Sequence, residues 1–129
     1  MLVLDTHVWL WWTIDSDRLS DTARDAIATT GALGVSAISC FEVAGLATRG
    51  RIQLEAGLEA WIRRALGMPG VVAIPVSTKI GIEAAQLDRS TFPGDPADRL
   101  IYATARDAGV PLVTRDARIR DFDPRGTIW

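Results

Sequence analysis

Short apolar runs recur along this chain, each followed by a segment with helical spacing. That alternation constrains the fold more than any other feature. LVL at 2–4, LGVSA at 33–37, VVAIPV at 71–76 and VPLVT at 110–114 read as buried strands. The first helical segment runs from about Thr6 to Ile14. Ser20 caps a second, which passes through Ala23, Ile27 and Ala28 to Gly31. Others run from about Ile38 to Thr48, Leu54 to Leu66 and Thr78 to Leu87. FPGDP reads as a loop before a helix from Ala97 to Ala108 that Gly109 closes, and Ala117 to Phe122 forms a short last turn. The final GTIW reads as a short edge strand. Strands alternating with helices call for an α/β fold with a mostly parallel sheet of four to five strands, covered on both faces. With 129 residues, the chain suits one domain, 1–129, with a sizeable core.

Composition narrows the function classes. Cys40 is the only cysteine, which excludes an internal disulfide framework and the usual cysteine-based zinc site. No basic leader opens the chain, and no apolar run approaches the roughly 18 residues that span a bilayer. The expectation is a cytoplasmic protein with no membrane association. A net charge of −2 gives no global attraction to nucleic acid. Lys79 is the only lysine among the basic residues, and Arg115, Arg118, Arg120 and Arg125 crowd the C-terminal end. Such guanidinium groups either solvate a surface or pair in a fork with phosphate oxygens.

In a parallel α/β sheet, ligands sit at the carboxyl ends of the strands. Four acids fall at that edge. Asp5 ends the first strand, and Asp116 follows the fourth in LVTRD. Glu42 lies in the second turn of the helix after strand two, and Asp98 in the first turn of the DPADRLIYATA helix. Each also has a plain structural role open to it: Asp5 and Asp116 as helix caps, Glu42 as a solvated side chain, Asp98 as an acid at a positive helix end. Asp95, directly before Pro96, reads as a structural N-cap. Against the structural roles, Asp98 shares a stripe with Ile101, Ala105 and Ala108, and Glu42 shares one with Ile38, Gly45 and Leu46. Inward carboxylates are costly unless their charge is compensated. The only basic residue near either stripe is the more distant Arg49. A cation is the natural partner, and carboxylate oxygens suit Mg²⁺ or Mn²⁺ rather than Zn²⁺. Such a site can polarise a phosphodiester, generate hydroxide and stabilise the leaving oxygen. Thr6, Ser39 and Thr114 are placed to orient a carboxylate or a water, or simply to cap.

The ordered set VLDTHVWLWW, SAISCFEVAGL, DPADRLIYATA and LVTRDARI resembles the PIN domain, and more narrowly the VapC-type toxin of a bacterial toxin–antitoxin pair. The resemblance covers essentially the whole chain. It implies an α/β/α sandwich and a Mg²⁺-dependent ribonuclease acting on RNA. It places the catalytic and metal-binding quartet on Asp5, Glu42, Asp98 and Asp116, with ligation mainly by Asp5 and Asp98. It also implies a homodimer and a VapB-like antitoxin whose tail lies across the groove.

Trp9, Trp11 and Trp12 point about 100° apart around one helix and cannot all face one core. Trp9 and Trp12 are candidate contacts to the antitoxin, or to a second copy. His7, the only histidine, reads as a support for Asp5 rather than a general base, and Cys40 as a small packed residue. Two other classes compete. A catalytically silent PIN-like binding module is disfavoured by the complete quartet. Phosphotransfer receivers need a strand-end lysine, and the phosphatase pattern needs a second Asp where His7 stands. Neither a GxGxxG motif nor a P-loop occurs.

Overall fold

The computed structural model describes residues 1–92 and 94–129. Five strands form one sheet in the order β3-β2-β1-β4-β5, and every neighbouring pair is parallel. They are β1 (Leu2–Leu4), β2 (Leu33–Ser36), β3 (Val71–Ile74), β4 (Leu112–Val113) and β5 (Thr127–Ile128). The helices are α1 (Thr6–Ile14), α2 (Asp21–Thr29), α3 (Ala37–Thr48), α4 (Leu58–Leu66), α5 (Thr78–Gln86), α6 (Pro96–Ala108) and α7 (Ala117–Phe122). No helix among the described residues is long and apolar enough to cross a membrane.

The period of two along β1 divides the core. Leu2 and Leu4 face one layer, where they meet Val8, Trp9, Ile27 and Trp61. Val3 faces the other, with Ile101, Tyr102, Leu112 and Ile119. β1 is therefore buried on both faces, as its unbroken apolar run requires. Leu4 pairs with Val35 on one side and Val113 on the other. The chain steps outward from β1 to β2 to β3, then returns across the sheet to place β4 on the other flank of β1. That reversal opens a crevice beyond the carboxyl ends of β1 and β4.

Several boundaries differ from the sequence reading; the strand expected over 71–76 ends at Ile74, just before Pro75. α4 starts at Leu58, because Ala56 (φ 60°) and Gly57 (φ 86°) carry the chain through left-handed backbone just before it. α2 stops at Thr29, and β4 contributes only Leu112 and Val113 to the ladder. The terminal edge strand is present, with Thr127 beside Leu112. Within the expected FPGDP loop, Pro93 lies outside the described residues.

The tryptophans separate as the helical geometry demands, though not as the contact assignment expected. Trp9 is 0% exposed and packs on Trp61 with ring centroids 4.9 Å apart, so it offers no surface to another chain. Trp12 is half-buried and retains an accessible face. Cys40 is half-buried against the core.

Candidate active site

Asp5 stands at the tip of the central strand and is only 4% exposed. It caps α1, its Oδ1 accepting from the Thr6 backbone N–H at 2.7 Å. Its Oδ2 accepts from the Thr114 hydroxyl at 2.6 Å. The structural and functional readings of Asp5 are thus compatible, since capping fixes the carboxylate at the crevice. Thr114 Oγ1 also accepts from the Asp116 backbone N–H at 3.1 Å, which ties the ends of β1 and β4 together.

Glu42 comes from α3. The Thr6 hydroxyl donates to its Oε1 at 2.5 Å and lies 3.0 Å from Ser39 Oγ. All three hydroxyls singled out in the sequence, Thr6, Ser39 and Thr114, are therefore engaged around the acids. Asp98 comes from the first turn of α6. It forms a capping box with Asp95: the Asp98 N–H donates to Asp95 Oδ1 at 2.9 Å, and the Asp95 N–H donates to Asp98 Oδ2 at 3.1 Å. Asp95 is the expected N-cap, with Pro96 at the first helical position.

Asp5, Glu42, Asp95 and Asp98 line one cleft of about 470 Å³ together with Phe41 and Arg49. Their electrostatics register the crowding. Burial, then the charges of Asp95, Asp5 and Glu42, push Asp98 from an ordinary 3.8 up to about 6. Burial also raises Glu42, reinforced by Asp5 and Asp95 and opposed by its bond from Thr6.

Asp116 is placed differently. It caps α7 and opens on a neighbouring hollow lined by His7, Trp11 and Arg115. The Arg118 guanidinium pairs with it, Nη2 to Oδ2 at 3.0 Å, and holds its pKa below the usual carboxylate range. Arg118, expected as a phosphate contact, thus pairs with Asp116 while its side chain stays exposed. Arg115 is exposed, its guanidinium 5.6 Å from the Trp11 ring centroid. His7 accepts from the Arg115 backbone N–H at Nε2 (3.1 Å), which leaves Nδ1 as the protonated nitrogen of the neutral ring, facing Asp5 Oδ2 at 3.6 Å. With its basic lone pair occupied, His7 supports Asp5 and spans the two strand ends.

The site thus joins three acids expected from the sequence in one cleft, with the fourth beside it. Among the described residues, no three acidic, histidine or cysteine side chains stand close enough to hold an ion as placed. Sequence reasoning passed over Phe41 as a site residue, although it stands beside Glu42 in the chain. It also set Arg49 aside as distant, yet Arg49 lines the cleft.

A crossed parallel sheet with acids gathered at its switch point defines a class that comparison identifies: residues 2–124 match the PIN domain family model, and the chain belongs to that family. Within it, the chain is 43% identical over 130 residues to Ribonuclease VapC22 of Mycobacterium tuberculosis (strain ATCC 25618 / H37Rv), covering 99% of this chain and 98% of that protein. The fold is also that of a toxin–antitoxin complex from Klebsiella pneumoniae, with a TM-score of 0.69 and 23% identity over 100% of this chain and 97% of that one. VapBC2 from Rickettsia felis, bound to a DNA fragment from its promoter, gives a TM-score of 0.68 at 15% identity, covering 98% of this chain and 96% of that one.

Proposed function

We propose that this chain is a metal-dependent endoribonuclease and the toxin of a VapBC-type pair. The observation that carries the reading is the convergence of Asp5, Glu42 and Asp98, from three separate elements, on one cleft at the switch point of the sheet. The full-length likeness to a ribonuclease of the VapC family supports it.

The residues fit a divalent cation in donor type and charge. Every carboxylate in the cleft is a hard oxygen donor, which suits Mg²⁺ or Mn²⁺. The upward shifts of Asp98 and Glu42 mark negative charge that a cation would relieve. Asp5 and Asp98 would be the principal ligands, with Glu42 and Asp116 completing the site or holding waters. When bound, the ion supplies Lewis acidity and lowers the pKa of water. The chain's own part is positional. Thr114 and the Thr6 N–H fix both oxygens of Asp5, and the Thr6 hydroxyl orients Glu42. Asp95 holds Asp98 at the head of α6.

The solved neighbours include toxin–antitoxin complexes, so we infer a VapB-like antitoxin as the protein partner; a homodimer is the assembly that the family resemblance implies. Trp12 retains the accessible aromatic face that such a partner would cover.

The test is cleavage of a labelled mixed-sequence RNA in Mg²⁺, in Mn²⁺ and in EDTA, beside Asp5→Asn. Cleavage is expected only with metal and only with Asp5 intact. Full activity of Asp5→Asn in metal would remove the site assignment. A chain that neither cleaves RNA nor binds metal by titration calorimetry would instead be a silent binding module.

A further inference from the structure

Among the described residues Phe41 is the most exposed large apolar side chain, at 73%, and it lines the acidic cleft. It lies four residues before Gly45 and eight before Arg49, so the three share one stripe of α3. Gly45 leaves that stripe flat. A Cβ there would stand 3.1 Å from Arg49 Nη1 and 3.6 Å from Nη2, so the guanidinium lies back along the helix in space that a side chain would contest. Among the described residues, Arg49 has no carboxylate within ion-pair range. It is also the one guanidinium lining the cleft.

An aromatic face and an uncommitted guanidinium flanking a row of acids match, in chemistry, the base and the phosphate of a single-stranded nucleic acid. Flat bases stack on aromatic rings whatever their identity, and guanidinium groups pair with phosphate oxygens. Bases inside a duplex are already stacked and cannot reach such a ring.

Resting on the ribonuclease reading above, we propose that Phe41 and Arg49 form a substrate-positioning pair: Phe41 stacks on an unpaired base next to the scissile phosphodiester, and Arg49 pairs with an adjacent phosphate. Gly45 keeps the path between the two contacts open.

The experiment measures binding and cleavage separately. Anisotropy titrations use a fluorescein-labelled single-stranded oligoribonucleotide and an Asp98→Asn background, so that hydrolysis does not interfere. Adding Phe41→Ala is expected to weaken binding about tenfold, inside the roughly 5- to 150-fold span of one base–aromatic stack. Phe41→Trp should keep the affinity, and Phe41→Leu, apolar but not flat, should lose it. A series of oligonucleotides, each carrying one abasic position, should contain one member that binds the parent as weakly as the intact RNA binds Phe41→Ala, with no further loss in that variant. Ile82→Ala, at an exposed apolar residue outside the cleft, serves as the control. In the otherwise native chain, Phe41→Ala should raise KM for single-stranded RNA by a similar factor.

Equal affinities for the parent and Phe41→Ala would overturn the proposal and leave the nuclease reading intact. Phe41-dependent binding without cleavage would sustain the stacking contact and remove the hydrolytic reading. If Phe41→Ala instead changes the molar mass by light scattering while RNA affinity holds, Phe41 belongs to an interface between copies and the proposal fails.

Discussion

Asp98→Asn tests whether the fold penalises an ionised carboxylate at this position, through its burial first and the neighbouring acids second. Asparagine keeps the side-chain oxygen that accepts from the Asp95 N–H, so the capping box survives and only the charge is lost. The folded chain raises Asp98 from 3.8 to about 6, so between those values the folded state binds more protons than the unfolded one. Stability therefore falls as pH rises through that window, and the cost of the ionised carboxylate is complete above about pH 6. At full value the shift corresponds to about 3 kcal/mol. Asp98 is only half-buried, and solvent screening reduces the figure to about 1–1.5 kcal/mol. In EDTA, urea unfolding at pH 8 should find Asp98→Asn more stable than the parent by that amount, with an unchanged m-value. The advantage should vanish near pH 4. If the cleft binds Mg²⁺ as proposed, saturating Mg²⁺ should reverse the order, because a bound cation would stabilise the chain that retains the carboxylate. An Asp98→Asn variant no more stable than the parent at pH 8 in EDTA would refute the reasoning, since neither burial nor the neighbouring charges would then be penalising the ionised carboxylate.

Two further outcomes follow from the geometry. Thr114→Val removes the donor to Asp5 and the acceptor for the Asp116 N–H without changing the shape of a fully buried side chain; it should cost about 2–3 kcal/mol by urea titration, whereas Thr114→Ser should cost about 1. Trp9→Ala should cost about 3–5 kcal/mol and lower the Tm accordingly, because the ring is wholly buried against Trp61.

Much of this fold was legible because its signals are local and agree with one another. An apolar run ending in an acid marked β1 and its tip, Asp95 before Pro96 marked the start of α6, and Gly109 marked its end. The start of α4 was hidden: Leu54, Leu58 and Trp61 keep helical spacing, and nothing in the sequence announces that Ala56 takes a positive φ. The burial of Trp9 rather than Trp12 was equally silent, since α1 is apolar on most of its surface and periodicity cannot choose a face. For the site, topology alone groups Asp5, Glu42 and Asp98 at one edge of the sheet, and the structure brings them to one cleft. The Asp116–Arg118 pair escaped because it spans two residues at a helix start, outside the three- and four-residue spacings by which helical partners are sought. Phe41 escaped because an apolar residue in an apolar helix reads as core until its exposure is known.

The bond from Thr114 to Asp5 joins residues 109 positions apart. The ribosome delivers β1 before every other strand of the sheet, yet its second neighbour, β4, arrives only after β2 and β3. Until β4 docks, Asp5 lacks the hydroxyl that orients it, and the β4 side of the crevice is missing. The cleft is therefore a late product of synthesis, and a chain cut short before Thr114 cannot assemble it. Completion of the site reports that every strand from β1 to β4 has been made and folded. For a protein whose proposed chemistry would damage the cell that makes it, that order of assembly delays the hazard until a complete surface exists for a partner to bind.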